Sequence, residues 1–267
     1  AEMIKRLLLN EKNAIFTSAT LTVNQSFEFF TEEIGLKDFH PHQYILPSPF
    51  NYKENCRILI PRDIPDIKKV KMDEYIEAVA SHLIGVAQAT KGRMLVLFTS
   101  YDMLRRTYDL MKDSGLLDDF VLMAQGISSG SQTRLTKNFQ KFEKAILFGT
   151  NSFWEGVDIP GEDLSCLAIV RLPFSPPDEP YVQAKSEAVV QRGKNPFSAY
   201  SLPQAILRFK QGFGRLIRSE KDRGIIIIFD RRIETTTYGK AFIKSVPSVP
   251  VQQAELDELI HFIEDWL

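Results

Sequence analysis

The chain has 267 residues, of which 44% are hydrophobic and 25% charged, a composition typical of a folded globular protein. Its formal net charge of −1 argues against a protein that coats a polyanion through bulk positive charge. No run approaches the ~20 apolar residues of a membrane span, and the first residues lack a secretory signal. We therefore expect a cytoplasmic protein, with Cys56 and Cys166 as two small buried thiols.

Short apolar runs alternate with amphipathic stretches, which predicts an α/β fold with a mostly parallel sheet and helices on both faces. Strands are expected at Ala14–Thr17, Arg57–Ile60, Arg93–Phe98, Phe120–Ala124, Ala145–Phe148, Cys166–Val170 and Gly224–Phe229. Helices are expected at Gln25–Ile34, Asp73–Gln88, Tyr101–Ser114, Ser131–Lys141, Glu179–Gln191, Pro203–Ile217 and Gln253–Trp266. Polar residues follow several strands, and ligands bind at the carboxyl ends of strands in such sheets.

The predicted helix from Pro203 to Ile217 carries the most informative pattern. Gln211, Gly214, Arg215 and Arg218 are spaced so that they share one helical stripe. Two guanidiniums one turn apart repel each other unless an anion lies between them. A glycine inside a helix costs ~1 kcal/mol relative to alanine, which indicates a close approach to the backbone. The pattern therefore favours a phosphate ligand, which the planar guanidinium suits, although arginines on exposed helices are usually only solvated.

Four segments together resemble the motifs of superfamily 2 helicases. Gln211–Arg218 resembles motif VI in the form found in the XPD and DinG families. Ser18–Leu21 resembles motif III, Leu97–Tyr101 motif IV and Gly149–Gly161 motif V. Each segment alone is a weak signal, but four in the expected order are specific. The chain is similar to the DinG branch of the XPD-related DNA helicases, which implies the RecA-like fold of the second motor domain.

The resemblance also implies roles for individual residues. Gln211, Arg215 and Arg218 would act catalytically at the γ-phosphate of ATP, and Glu155, Asp158 and Gly214 would contact the nucleotide. The residues implied to hold the DNA backbone are Thr99, Ser100, Thr150, Asn151 and Ser152. Their neutral donors hold a backbone without reading bases. Two alternatives stay open: Asp158 could simply form the turn before Pro160, and either Phe153 or Trp154 could stack on a base instead of packing in the core.

The sequence lacks a Gly-x-x-x-x-Gly-Lys-Ser/Thr loop and an Asp-Glu-x-His or Asp-Glu-x-Asp box. Phosphoryl transfer needs such a phosphate cradle and a magnesium site, which in the resembled family lie on the first motor domain. We therefore expect residues 1–22 to end that first domain, and residues 23–267 to form the second. ATP and Mg²⁺ would be shared with the missing domain, and the chain alone would be inactive. We expect no metal site and no iron–sulfur cluster in this chain.

The leading interpretation is the C-terminal motor half of an ATP-dependent DNA helicase in the bacterial cytoplasm, acting near the nucleoid. Its expected partners are single-stranded DNA, the first motor domain of the same polypeptide and, as in some Gram-positive relatives, an amino-terminal exonuclease domain, but no membrane. Between positions 204 and 232, eight basic residues against three acidic ones favour a polyanion. The alternative is a nucleotide- and DNA-binding regulatory module of a Gram-positive 3′-5′ exonuclease that lacks productive helicase activity.

Overall fold

The computed structural model describes residues 9, 13–156, 159 and 161–267, with the side chain of Glu162 excepted. Within these residues, one sheet contains seven strands: β1 (Cys56–Pro61), β2 (Met94–Leu97), β3 (Val121–Ala124), β4 (Ala145–Gly149), β5 (Cys166–Ile169), β6 (Gly224–Ile228) and β7 (Val251–Ala254). Their order across the sheet is β3-β4-β2-β5-β6-β1-β7, and all pairings are parallel. The predicted parallel sheet is confirmed.

Parallel strands all end at the same side of the sheet, which we call the carboxyl edge. In sheet order, the residues that directly follow the strands there are Gln125, Thr150, Phe98, Val170, Phe229, Arg62 and Glu255. The polar groups that follow apolar runs in the sequence are therefore neighbours in space. This edge is where ligands bind in open α/β sheets.

Helices cover both faces of the sheet. Their bounds are α1 (Glu28–Ile34), α2 (Tyr52–Asn55), α3 (Met72–Ala89), α4 (Tyr101–Asp113), α5 (Gln132–Phe139), α6 (Asn151–Trp154), α7 (Pro180–Gln191), α8 (Leu202–Phe213), α9 (Arg232–Thr235), α10 (Gly239–Ser245) and α11 (Leu256–Trp266). Helices α3, α4 and α11 pack on one face, whereas α5, α6, α8 and α10 pack on the other. The sequence of β6 is apolar throughout because both faces of the strand are buried. Ile225 and Ile227 face the first helix layer, and Ile226 and Ile228 face the second.

Two predictions at the ends of the chain are wrong. Ala14–Thr17 has no regular structure, and Ile15 is 94% exposed, because no described strand lies beside this segment to pair with it. The helix predicted from Gln253 begins at Leu256, and the residues before it form β7, which pairs with β1 at the sheet edge. Strand β7 escaped prediction because it is short, partly exposed and contains one β-branched residue.

Helix α8 ends at Phe213, earlier than predicted. Gly214 terminates it, with its N–H donating to the carbonyl of Lys210 at 3.0 Å. Arg215 and Arg218 therefore lie in the turn beyond the helix and share no helical stripe with Gln211. The hydrophobic periodicity continued past the true end because Leu216 and Ile217 are still buried in the same core.

Both cysteines are fully buried, as expected. Burial raises the pKa of the Cys56 thiol to about 12, and it also raises the pKa of Cys166. Among the described helices, none is long and apolar enough to cross a bilayer.

Phe209→Ala is expected to lower the free energy of unfolding by about 3–5 kcal/mol through cavity formation. Phe209 is fully buried on α8, with its ring 5.4 Å from that of Phe242. Urea denaturation measures the loss. The matched control is Phe142→Ala, at a side chain that is 45% exposed, where the loss should stay below about 1 kcal/mol. Equal losses in the two variants would contradict the assignment of this core.

Candidate functional site

Two segments that are distant in sequence lie against each other: the one that begins at α6 and the turn that follows α8. The Nη2 of Arg215 donates to the carbonyl of Trp154 at 3.2 Å. Further along both segments, a Cβ at Gly161 would lie 2.0 Å from Cγ of Asp222. The glycine therefore permits the second contact. The structure thus brings the predicted motif V and motif VI segments together.

Arg215 and Arg218 are half-buried. Burial lowers the pKa of Arg215, and the opposite charge of Glu155 partly offsets this effect. Burial likewise lowers the pKa of Arg218, with Asp222 acting in the opposite direction. A guanidinium stays charged at neutral pH in spite of such shifts. Two partly desolvated positive charges in one turn form a setting that favours an anion.

The turn after α8 is held by the buried carboxylate of Asp222. It accepts from the main-chain N–H of Arg218 at 2.7 Å and of Ser219 at 2.8 Å, and from the Ser219 hydroxyl at 2.6 Å. Burial opposes ionisation of Asp222, but these hydrogen bonds outweigh it, and the pKa of the carboxyl is lowered. The sequence reasoning missed this residue. Its signal was an aspartate three positions after a serine, a spacing at which the side chain can bond a local turn.

Trp154 is fully buried and joins three parts of the site. Its indole N–H donates to the carbonyl of Phe98, just beyond β2, at 3.0 Å. Its ring packs on Gly212 of α8, where a Cβ would lie 2.8 Å from Cε3. Its own carbonyl accepts from Arg215. Phe153 is equally buried, so both aromatics pack in the core, and the possibility that one of them stacks on a base is excluded.

Within the protein, the glycine that permits a close approach is Gly212, and the predicted contact of Gly214 with the nucleotide stays a prediction. Among the described residues other than its two chain neighbours, the atom nearest to a Cβ at Gly214 would be the Lys210 carbonyl oxygen, at 3.4 Å. Gly214 has φ −67°, which any residue adopts, and it is exposed at the helix end. The geometry therefore gives Gly214 no backbone role that requires glycine.

The predicted DNA-binding residues form a second group at the carboxyl edge. Asn151 and Ser152 are exposed, and Thr150 is half-buried after β4. The main-chain N–H and the hydroxyl of Thr150 donate to Oε1 of Gln125, at 2.9 and 3.0 Å. Gln132 on α5 donates to the Ser152 carbonyl at 2.8 Å. The two glutamines fix this loop through tertiary contacts, and Gln132 was not predicted from the sequence as a site residue.

Thr99 and Ser100 lie beyond β2, next to this loop across the sheet. The Ser100 hydroxyl accepts from the N–H of Met103 at 3.3 Å and caps α4, so its oxygen has a structural partner. Tyr101 follows directly and is 45% exposed, with its ring over Gly126. Tyr101 was not predicted from the sequence as a site residue. Its signal was an aromatic residue directly after two hydroxyl residues at a strand end.

The remaining predicted residues have different outcomes. Glu155 is exposed and lies close enough to Arg215 to affect its pKa. Gln211 is half-buried on the last turn of α8. Asp158 lies outside the described residues, so its two interpretations stay as they were. Across the described part of the chain, no group of three His, Cys, Asp or Glu side chains is arranged to hold a metal ion.

Residues 83–249 match the family model described as the helicase C-terminal domain. The chain is 43% identical, over 98% of its length, to the protein named 3′-5′ exonuclease DinG of Bacillus subtilis. It is 38% identical, over 94% of its length, to the protein named ATP-dependent DNA helicase YoaA of Haemophilus influenzae. The matches span 28% and 38% of those relatives, respectively.

Solved structures resemble the chain in fold. An XPD helicase structure superposes with a TM-score of 0.62 at 17% identity, over 88% of this chain and 42% of that one. Dbp5 of S. cerevisiae, bound to RNA and ADP BeF3, gives a TM-score of 0.59 at 14% identity, over 99% of this chain and 57% of that one. At these identities the likeness concerns the fold alone.

Gly212→Ala is expected to destabilise the chain by about 1–3 kcal/mol, because the added methyl group overpacks the contact with Trp154. Gly214→Ala is the matched control, and it should change stability by less than about 1 kcal/mol because the position is open and has an ordinary φ. Urea denaturation of both variants beside the parent measures the difference. A larger loss at Gly214 than at Gly212 would show that the close approach is assigned to the wrong glycine.

Proposed function

The chain belongs to the helicase C-terminal domain family, in its DinG-like form, and on that premise we propose that it is the second motor domain of an ATP-dependent DNA helicase. Its parallel sheet with helices on both faces is the RecA-like fold expected from the sequence. The observation that carries the proposal is the pair of half-buried guanidiniums, Arg215 and Arg218, in the turn after α8, with Arg215 bonded to the segment that follows β4. Residues 23–267 form this domain, and residues 1–22 end the first one. Lys210 on α8 donates to the Thr22 carbonyl at 2.9 Å, so the end of the first segment lies against α8.

Arg215 and Arg218 act on ATP that is bound, with Mg²⁺, by the first motor domain. Their chemistry fits a phosphate: planar, permanently charged donors that are partly withdrawn from water. ATP supplies the phosphoryl group, and these residues stabilise the charge that builds on it during transfer. Gln211 and Glu155 complete the contact surface, with Glu155 opposing the burial effect on Arg215. The chain alone is inactive under this proposal.

Single-stranded DNA binds at the carboxyl edge. Thr99, Asn151 and Ser152 offer neutral hydroxyl, amide and main-chain donors, which hold a sugar–phosphate backbone without reading sequence. Thr150 fixes the loop after β4 by donating to Gln125. Ser100 contributes by fixing the start of α4. Tyr101 adds an exposed aromatic face of the kind on which bases stack in sequence-tolerant binding.

Trp154 connects the two groups of residues. Its indole N–H donates to the carbonyl of Phe98, which precedes Thr99 at the end of β2, and its main-chain carbonyl accepts from Arg215. Because interiors are close-packed, a shift of the carboxyl edge on DNA binding reaches the guanidinium through a rigid ring. We infer that this connection links strand binding to ATP turnover.

A second candidate function follows from the Bacillus subtilis relative, which is named 3′-5′ exonuclease DinG. In this alternative the same surfaces bind nucleotide and DNA, but they regulate a nuclease carried elsewhere in the polypeptide. Binding of ATP would then change the rate of the nuclease, and the protein would not separate DNA strands. A strand-separation assay on the whole protein, with a duplex that has a single-stranded tail, distinguishes the two functions.

Arg218→Ala, in a protein that carries both motor domains, is expected to lower ATP turnover by on the order of 10³-fold, as for other arginine fingers. ATP affinity should change much less, because the developing charge of the transition state is what the guanidinium stabilises. Steady-state turnover and nucleotide titration measure the two effects. Arg105→Ala is the control, at a side chain that is 67% exposed on α4. Parental turnover in Arg218→Ala, or a drop in melting temperature that accounts for the loss, would contradict the assignment.

A further inference from the structure

Four arginines lie at the part of the carboxyl edge formed by β5, β6 and β1. Arg62 directly follows β1, and Arg171 lies two residues beyond β5. Arg231 and Arg232 follow shortly after β6, the strand between the other two. We call Arg62, Arg171, Arg231 and Arg232 the arginine cluster. It is separate from the uncharged DNA-binding residues Thr99, Asn151 and Ser152 beyond β2 and β4, which we call the neutral group. Nothing in the proposed function uses the arginine cluster.

One member of the cluster is neutralised within the fold. Arg232 donates from Nε to Oδ1 of Asp230 at 2.9 Å, and from Nη2 to Oδ2 at 2.5 Å. The same carboxylate also accepts from the N–H of Leu172 at 2.8 Å. Burial disfavours the charge of Arg232, but these bonds outweigh it, and the pKa of Arg232 is raised. Asp230 is fully engaged by this pairing.

Arg171 and Arg231 are placed differently. The Nε atom of each is buried, and among the described residues it has no hydrogen-bond partner. Burial lowers the pKa of Arg171, and the like charge of Arg232 lowers it further, with partial compensation from Asp230. A buried donor without an acceptor costs about 1–3 kcal/mol, and more when the group is charged. Both residues therefore lack an acceptor that a bound anion would supply.

The acidic groups around the cluster do not supply that acceptor. Glu234 interacts electrostatically with Arg231 and Arg62, but burial raises its pKa despite both positive charges. With Asp230 committed to Arg232, no acceptor of the described residues reaches the Nε atom of Arg171 or of Arg231, and both side chains are only partly exposed to water.

The platform that carries Arg171 and Arg231 is rigid. The buried hydroxyl of Tyr75 lies 2.9 Å from the Val170 carbonyl and 3.2 Å from the Phe229 carbonyl, and it can donate to both. These two carbonyls directly precede Arg171 and Asp230. The tyrosine thus ties the ends of β5 and β6 together. A binding site built on fixed elements loses little entropy when a ligand binds.

We propose that Arg171 and Arg231 bind one phosphate group, and that its source is the backbone of the strand held at the neutral group. The statement that this phosphate belongs to a DNA strand rests on the proposed function. The statement that the two arginines bind a phosphate group does not. The ends of β4 and β6 are three strand spacings apart, ~14 Å, so one strand can pass both groups. The neutral group lets the backbone slide, and the arginine cluster adds affinity that depends on salt.

The test uses the chain with Arg171→Gln, Arg231→Gln and the control Arg223→Gln. Arg223 is exposed and lies directly before β6, at the side of the sheet where the strands begin. In the first arm, fluorescence anisotropy measures binding of an oligothymidine over a range of salt concentrations. Each cluster variant should bind roughly tenfold more weakly, and its plot of log affinity against log salt should be shallower by ~0.7 for a lost phosphate contact. The control should keep the parental slope.

In the second arm, inorganic phosphate is titrated at constant ionic strength, with chloride as the reference anion. Phosphate should raise the melting temperature of the parent and of Arg223→Gln, but not of the cluster variants. Arg171→Lys keeps the charge and loses the planar fork, so it should retain the salt slope with reduced affinity. This variant keeps the test informative if Arg171→Gln fails to fold.

The outcomes separate the possibilities. Loss of phosphate stabilisation with an unchanged oligothymidine slope would assign the site to free phosphate or a nucleotide, and it would overturn the strand as source. If the parent does not bind oligothymidine at all, the proposed strand contact fails, and the phosphate arm alone decides the cluster. Parental slopes together with parental phosphate stabilisation in both folded Gln variants would overturn the proposal.

Discussion

The buried indole of Trp154 is the contact on which the arrangement of the site depends. It fixes the end of β2 through Phe98, occupies the space left open by Gly212 on α8, and holds Arg215 through its carbonyl. Three elements distant in sequence thus meet at one side chain. Because protein interiors have almost no free volume, none of the three can move without displacing the others. The connection between the carboxyl edge and the turn after α8 is a consequence of packing.

The carboxyl edge itself is divided by the order of the strands. The ends of β4 and β2 carry hydroxyl and amide groups, represented by Thr150 and Thr99, whereas the ends of β5, β6 and β1 carry the arginine cluster. Neutral donors position a backbone, and guanidiniums add affinity that falls with salt. Under the proposed function, the two halves hold one strand, while Arg215 and Arg218 reach the nucleotide from the turn after α8. A net charge of −1 is compatible with this because the positive charge is local.

The sequence was sufficient for six of the seven described strands, because strands buried on both faces are apolar throughout, as at Ile225 to Ile228. It was insufficient at the end of α8, where Leu216 continues the helical periodicity although the chain has already turned. The same limit explains why the sequence indicated a close approach to the backbone at Gly214 and gave no sign of the one at Gly212. The approach of Trp154 is a tertiary contact that no local pattern records. The positioning roles of Gln125 and Asp222 depend on folded neighbours in the same way.

The central claim, that Trp154 links strand binding to ATP turnover, is tested most directly by Trp154→Phe in a protein that carries both motor domains. Phenylalanine keeps most of the buried ring but removes the donor to the Phe98 carbonyl. Phe153→Leu is the control, since Phe153 is equally buried and makes no such bond among the described residues. The measurement is ATP turnover with and without single-stranded DNA. Stimulation by DNA should fall in Trp154→Phe while basal turnover and melting temperature stay near those of the control; parental stimulation would contradict the claim.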